Sequence, residues 1–410
     1  MLLLPGPAAA IAYGVQDPRA LAMGGATVAA ATSAHAMLYN PALLAIYDER
    51  KERNGAQRFQ FPIASVQTTD AAEALYELNR DDLDQRLTAA VATFNAAPTA
   101  ANAGAVAVAT RDLEDALIRI ANKDLLVDGY VGLAIGVPGK REGGGFFAGS
   151  RLVGGGFANL SDADRALLDA YIDGMTYIAT GGAQGSPQPG IFDAGGNLID
   201  PTDSLTSMLN ARGALISEMG VALAREFNLF DWPVALGIAP KAVHVQVYEY
   251  RQTVTDDLNT TSNGRREYDD FNLDVGATTA LGGHYRLGIG IKDVLPRDYE
   301  TALGGAVKLR PRVRAGIAHR SGNMQLAADL DLTRNAPVGF ESATRELAVG
   351  AEWAATDWLQ LRGGYRANLE ASGGLVSLGA GVTVSGALLD LAYGHGRETR
   401  ALALQFGVAF

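Results

Sequence analysis

Histidine, serine and carboxylate positions are the first places to look for chemistry in this 410-residue chain. Its five histidines are His35, His244, His284, His319 and His395, and none has the spacing of a metal-binding pair on a helix. They read as surface or rim histidines, with His284 and His319 beside predicted turns. There is no G-x-S-x-G elbow, and no Gly-Gly pair follows a strand and opens a helix as a phosphate loop would. A Ser/His/Asp set would have to be assembled across strands with no local motif behind it. Cysteine is absent, which removes disulfides, thiolate metal sites and cysteine nucleophiles together. The chain therefore reads as no enzyme, with no catalytic residue, metal or cofactor.

The more informative cluster is charged. Arg310, Arg312 and Arg314 alternate along one predicted strand, with Val307, Leu309, Val313, Ala315 and Ile317 on its other face. An arginine at the midplane of a bilayer costs about 2–4 kcal/mol, so these side chains are expected to point into a lumen. The next strand offers Asp329 and Asp331 on its polar face. A two-residue turn at Ser321-Gly322 would pair Arg320 with Asn323, setting Arg314 opposite Asp329 and Arg312 opposite Asp331. Each such cross-strand pair contributes about 0.2–1 kcal/mol. Arg362 and Arg366 add charge to the polar face of a further strand. The set would either guide a solute or hold the wall and a plug together. The second reading needs no ligand and is preferred.

These side chains need strands to carry them. Leu402, Leu404, Phe406, Val408 and Phe410 share one face of the last segment, and Ala403, Gln405, Gly407 and Ala409 share the other. This strict period of two recurs upstream. Each segment is about ten residues long, as a tilted strand crossing a bilayer requires. The polar faces are rich in glycine, which weakens a solvated strand but suits a crowded lumen. The pattern predicts an all-β transmembrane barrel of about fourteen antiparallel strands, at 56–67, 126–138, 144–159, 211–229, 233–252, 266–281, 285–296, 304–319, 323–335, 344–354, 358–369, 374–384, 387–395 and 399–410. Its connections alternate between short turns and longer loops, as in outer-membrane barrels. The longer ones include 68–125 and 160–210.

Two segments break the period. Residues 70–125 have helical periodicity and good helix formers, predicting two or three amphipathic helices in the first long loop. Ser161 to Asp164 is a plausible helix start in the second. The Gly- and Ala-rich stretch Tyr13 to Ala45 would pack tightly inside a barrel as a plug extending to about residue 50, and Asn40-Pro41 favours a turn or helix start within it. Met1 to Ala12 resembles the remnant of an export signal, with Ala10-Ile11-Ala12 as its cleavage site. The barrel then runs from 51 to 410. No apolar run approaches the roughly 18 residues of a spanning helix, and a net charge of −11 argues against nucleic-acid binding.

Arg19 to Ala26, with Met23, Gly24 and Gly25 at its centre, and Leu38 to Ala42, with Asn40, Pro41 and Ala42, resemble the N-terminal signature of the FadL-like outer-membrane proteins. That group includes fatty-acid channels and PorV-type secretion barrels. The whole chain is similar to the branch named for conjugal transfer protein TraF, in its helical insertion, in Ile291 to Arg297 and in Ala327 to Leu332. The resemblance implies a fourteen-strand barrel with an N-terminal hatch. It also implies that the terminal aromatics, Phe406 and Phe410, are read by the barrel assembly machinery. Two departures bear on transport: Leu43 follows Asn-Pro-Ala where fatty-acid channels commonly have Gly, and the lumen is more charged than a greasy channel. The expected function is a passive channel for small amphipathic or hydrophobic solutes, in contact with outer-membrane lipid. The alternative is an assembly barrel whose extracellular loops engage a conjugation, secretion or surface-filament protein.

Overall fold

The computed structural model describes residues 11–46, 57–184, 190–229, 231–253, 264–340 and 342–409. In chain order its strands are β1 (Gln57–Thr69), β2 (Leu125–Val137), β3 (Glu142–Asn159), β4 (Met208–Leu229), β5 (Trp232–Thr253), β6 (Arg265–Leu281), β7 (Tyr285–Lys292), β8 (Arg297–Glu300), β9 (Ala306–Leu309), β10 (Arg312–Ser321), β11 (Met324–Asp331), β12 (Glu346–Ala354), β13 (Leu359–Asn368), β14 (Gly374–Val384), β15 (Ala387–Gly396) and β16 (Thr399–Ala409). Among the described residues, fourteen of these form one closed antiparallel barrel, with β1 paired to both β2 and β16. Only β8 and β9 stand apart, as a two-stranded hairpin.

The alternation has the physical meaning the sequence suggested. Leu223, Leu236, Ile289, Ile317, Leu326, Leu361, Leu378 and Leu402 project outward and are exposed, as a lipid-facing band requires. The three tryptophans, Trp232, Trp353 and Trp358, are exposed at the end of the barrel that carries the short turns. Aromatic rings favour the boundary between acyl chains and water, so this row marks one membrane surface.

The wall is not of even height. β4 and β5 each run for 22 residues, about 70 Å at the usual rise, whereas β7 and β11 have 8. The tall side carries a helical cap at the end opposite the tryptophans. Its helices are α3 (Asp70–Arg80), α4 (Leu83–Ala96) and α5 (Ala100–Ile120) from the first long loop and α6 (Asp162–Ala179) from the second. The two loops, separate in the sequence reading, share one core: Leu78, Leu87, Phe94, Leu113, Leu168 and Met175 are buried together, with Ile191, Leu198 and Leu205. Thr69, Thr99 and Ser161 cap α3, α5 and α6 by accepting from backbone N–H groups.

Asp164 locks the second loop to this core. Its carboxylate accepts from the backbone N–H and hydroxyl of both Thr206 and Ser207. Burial alone would raise its pKa, but these donors outweigh burial and hold it below the usual carboxylate range. A depressed folded-state pKa contributes stability that is present above the unfolded value and lost as pH falls through the folded one. The hydrogen-exchange protection of α6, corrected for the intrinsic pH dependence of amide exchange, is therefore expected to hold from pH 7 down to about 4 and to fall only below it. Asp164→Asn is expected to loosen α6 by about 1.5–3 kcal/mol already at pH 7, the scale of a lost charged hydrogen-bond set.

One region departs from expectation. The strands predicted at 285–296 and 304–319 end at Lys292 and begin at Arg312, and the chain between them folds inward as the β8–β9 hairpin. Pro296 and Pro311 cannot donate to a ladder, and Asp293 turns the chain with φ of +54°. Val307 and Leu309, expected on the lipid face, are instead buried with Tyr299 against Ile216, Val243 and Val245 of the inner wall.

Candidate functional site: a plugged lumen beneath a vestibule

Residues 11–46 lie inside the barrel and are almost entirely buried. Two short helices, α1 (Pro18–Ala22) and α2 (Ala36–Tyr39), and a 3-10 turn (Pro41–Ala45) give the plug its shape. Asp17 caps α1 by accepting from Ala20 N–H, and Asn40 caps the 3-10 turn by accepting from Ala42 N–H. Asn40 also donates its amide to the carbonyls of Val28, at 2.8 Å, and Ala277, at 3.2 Å. It thus ties the plug to itself and to β6. Ile11 and Ala12, placed in the leader by the sequence reading, join this interior: the Ala12 carbonyl accepts from Arg151 and Arg312.

Glycine explains how backbone meets backbone. A Cβ on Gly350 would strike the Met23 main chain, one on Gly364 the Met23–Gly24 main chain, and one on Gly276 the Asn40 side chain. Gly24 itself needs φ of +66°. The glycine-rich inner face is therefore an imprint of the plug. Gly364→Val, which can be relieved only by moving plug backbone, is expected to cost at least about 1–3 kcal/mol. Gly363→Ala, which meets the Leu378 side chain at 3.4 Å and the Ser377 carbonyl at an ordinary 3.9 Å, should cost far less. Urea midpoints of the two folded variants check the contrast.

The charges bind plug to wall. Asp329 faces inward and accepts from the backbone N–H groups of Thr27, at 2.7 Å, and Val28, at 2.9 Å. Arg314 is fully buried, donating to Asp331 at 2.6 Å, Glu346 at 2.7 Å and the Gly25 carbonyl at 3.2 Å, with its guanidinium 4.5 Å from the Tyr13 ring centre. Arg362 pairs with Asp390 and with Glu352, which also holds Arg19 of the plug at 2.8 Å. Arg366 lies 3.5 Å from Glu346 and donates to Gln67.

The expected register is off by two residues. Arg314 pairs opposite Asp331, and Asp329 opposite Gly316, because the hairpin turns at Gly322-Asn323 rather than at Ser321-Gly322. Gly322 at φ of +56° supplies the first left-handed position that a primed hairpin turn needs. The slip moves each pairing by two in the sum of residue numbers, so every side chain keeps its face. Arg312 lies opposite Lys292 of β7 and pairs with Asp293. Arg310 is not in the wall at all; it pairs with Asp298 of the inner hairpin.

A second cluster escaped the sequence reading. Lys241 is fully buried and contacts Glu218 at 2.8 Å, Asp274 at 3.0 Å and Asp293 at 2.8 Å. Lys292 donates to the Leu38 carbonyl at 3.1 Å. The available signal was a charged residue on the polar face of each of four successive crossing strands: Glu218, Lys241, Asp274 and Lys292. His35 also departs from its expected rim position: it is buried in the plug, bonded to Thr32 at 2.9 Å and Gln405 at 2.8 Å. His284 and His319 do lie together near the short turns, their ring centres 6.2 Å apart. Phe406 is exposed on the outer face, whereas Phe410 lies outside the described residues.

Above the plug lies a vestibule of about 440 Å3. Its floor is Ile11, Ala12 and Gly14, and its walls mix Leu126, Val153 and Val338 with Asp128, Arg151 and Arg366. The arginines are paired: Arg151 holds Asp128 at 2.7 Å. Beneath the floor, a void of about 20 Å3 lies among Gln16, Tyr130, Glu218 and Arg312.

A family model described as the F plasmid transfer operon TraF protein matches residues 37–331. The chain belongs to the TraF family. No curated protein matches this TraF-family chain. Solved structures share its fold. The Ralstonia pickettii toluene transporter TbuX is 13% identical, with a TM-score of 0.51, over 96% of this chain and 98% of that one. The CymD monoaromatic hydrocarbon channel is 11% identical, with a TM-score of 0.52, over 98% and 99%. At such identity the likeness establishes the barrel fold and nothing finer.

Proposed function

We propose that this TraF-family barrel is a passive outer-membrane channel for small amphipathic or hydrophobic solutes, and not an enzyme. Its short turns face the periplasm and its cap faces outward. The observation that carries the reading is the vestibule of about 440 Å3, part apolar and part charged, seated directly on a plug whose described contacts with the wall are non-covalent. A cavity of that size fits a ligand of small-molecule dimensions. The plug, through Met23, Gly24, Gly25, Asn40, Pro41 and Ala42, is the gate. The inner charges Arg312, Arg314, Asp329, Asp331, Arg362 and Arg366 are the latch that holds it, and Arg310 braces the inner hairpin. Phe406 and Phe410 serve the assembly machinery. TbuX and CymD, described as a toluene transporter and a monoaromatic hydrocarbon channel, support the solute class by analogy of fold.

The test is uptake by proteoliposomes of a neutral aromatic solute, corrected for protein-free vesicles. Facilitated, saturable entry is the expected result. Entry no faster than in protein-free vesicles would shift the reading to the second one, a scaffold whose cap docks a conjugation or secretion protein. One observation favours that alternative: the cap has a core of its own and leaves Tyr76, Val108 and Tyr177 exposed.

A further inference from the structure

We propose that the helical cap is an electrostatic filter that admits cationic and neutral amphiphiles to the vestibule and turns anionic ones away. The inference rests on the channel reading above and narrows its solute class. It starts from where the charge sits. Residues 70–120 and 160–207, which build the cap, hold sixteen Asp and Glu against five Arg, a net charge of −11. The whole chain also carries −11. Barrel and plug are therefore neutral, with twenty-nine charges of each sign.

The two halves also treat their charges differently. Inside the barrel, charges are buried and matched: Lys241 with Asp274 and Asp293, Arg314 with Asp331 and Glu346, Arg362 with Glu352 and Asp390. On the cap, Asp82, Asp115, Asp162, Asp173 and Asp203 are exposed, and no ion pair is found for them among the described residues. Matched pairs project little field, whereas an unmatched surface projects one over about a Debye length, roughly 8–10 Å at physiological salt.

The geometry puts that field at the entrance. Thr69, the cap of α3, lines the vestibule, as does Asp124, which joins the cap to β2. Asp70 and Glu73 of α3 reach Arg400 on β16 at 3.4 and 3.2 Å, fixing the first cap helix to the rim. A solute entering the vestibule passes Thr69 at the foot of α3; the unmatched aspartates lie outside the vestibule lining, and at about 0.01 M ionic strength, where the Debye length is about 30 Å, their field extends to that entrance. The arginines in the vestibule cannot offset the cap: Arg151 and Arg366 answer Asp128 and Glu346, and the third, Arg397, shares the lining with Asp124 and Glu398.

The full chain in proteoliposomes tests this with three aromatic probes of similar size: phenyltrimethylammonium, benzenesulfonate and benzamide. At about 10 mM ionic strength the cation is expected to enter at least ~5-fold faster than the anion, within the range of electrostatic steering, and the ratio is expected to approach one in about 1 M salt. The five-site variant carrying D82N, D115N, D162N, D173N and D203N alters only exposed positions and is expected to lower that ratio at low salt. Equal entry of the three probes at low salt would overturn the filter and leave the channel standing. Entry of none, on a barrel shown to be folded, would remove both. A ratio that survives 1 M salt or the five substitutions would place selectivity in the lumen and also overturn the proposal.

Discussion

A chain lacking residues 13–45 is expected to fold as a barrel and to give a large, steady conductance in planar bilayers, where the full chain is nearly silent. The expectation follows from what the plug occupies and how it is held. It fills the lumen between β2–β7 on one side and β11–β16 on the other, with Asn40, Thr27, Gly25 and Arg19 as its anchors. Each anchor is a hydrogen bond or ion pair, so no strand of the wall depends on the plug for its ladder. Removing it leaves wall pairs such as Arg362 with Asp390 intact and replaces the plug partners of Asp329 and Lys292 with water. Barrels of more than eight strands enclose free space unless something fills it. If the truncated barrel folds yet stays silent, the inner hairpin and wall side chains fill the lumen. The scaffold reading then gains.

The architecture was legible because a bilayer imposes its rules on every strand. Each crossing segment must alternate, and a one-residue error would put an arginine into lipid. That constraint made Asp329 and Arg314 readable as inward-facing although their register was off, since a slip of two leaves faces unchanged. What stayed hidden was long-range. The β8–β9 hairpin alternates like a wall strand, and only its neighbours decide that Val307 and Leu309 meet protein instead of lipid. Lys241 and Asp274 were equally invisible as a pair, because they meet across β5 and β6 with the plug above them. The common core of the two cap loops likewise depends on residues far apart in the chain, such as Leu113 and Leu168.

Arg314 should be the most expensive single side chain in the lumen. Arg314→Met is expected to destabilise the folded barrel by about 3–5 kcal/mol, the scale for removing one member of a buried ion cluster. The loss is not mainly of attraction. Methionine fills much of the space, but Asp331 then keeps the neutral donors Asn335, at 3.1 Å, and the Glu346 backbone N–H, at 3.0 Å, and loses its guanidinium, while Glu346 keeps Arg366 at 3.5 Å. The Gly25 carbonyl loses its donor and the Tyr13 ring the nearer of its two cations, with Lys292 left at 5.7 Å, so the plug loosens with the wall. A urea titration in lipid vesicles should show the drop in midpoint. Adding D331N and E346Q to Arg314→Met neutralises the orphaned carboxylates and should return most of the stability, because the cost lies in their burial as unmatched charges. Recovery of stability without recovery of the closed, silent state would separate the two roles. It would show that the wall needs only neutrality at this site, whereas the plug needs the guanidinium itself to reach Gly25.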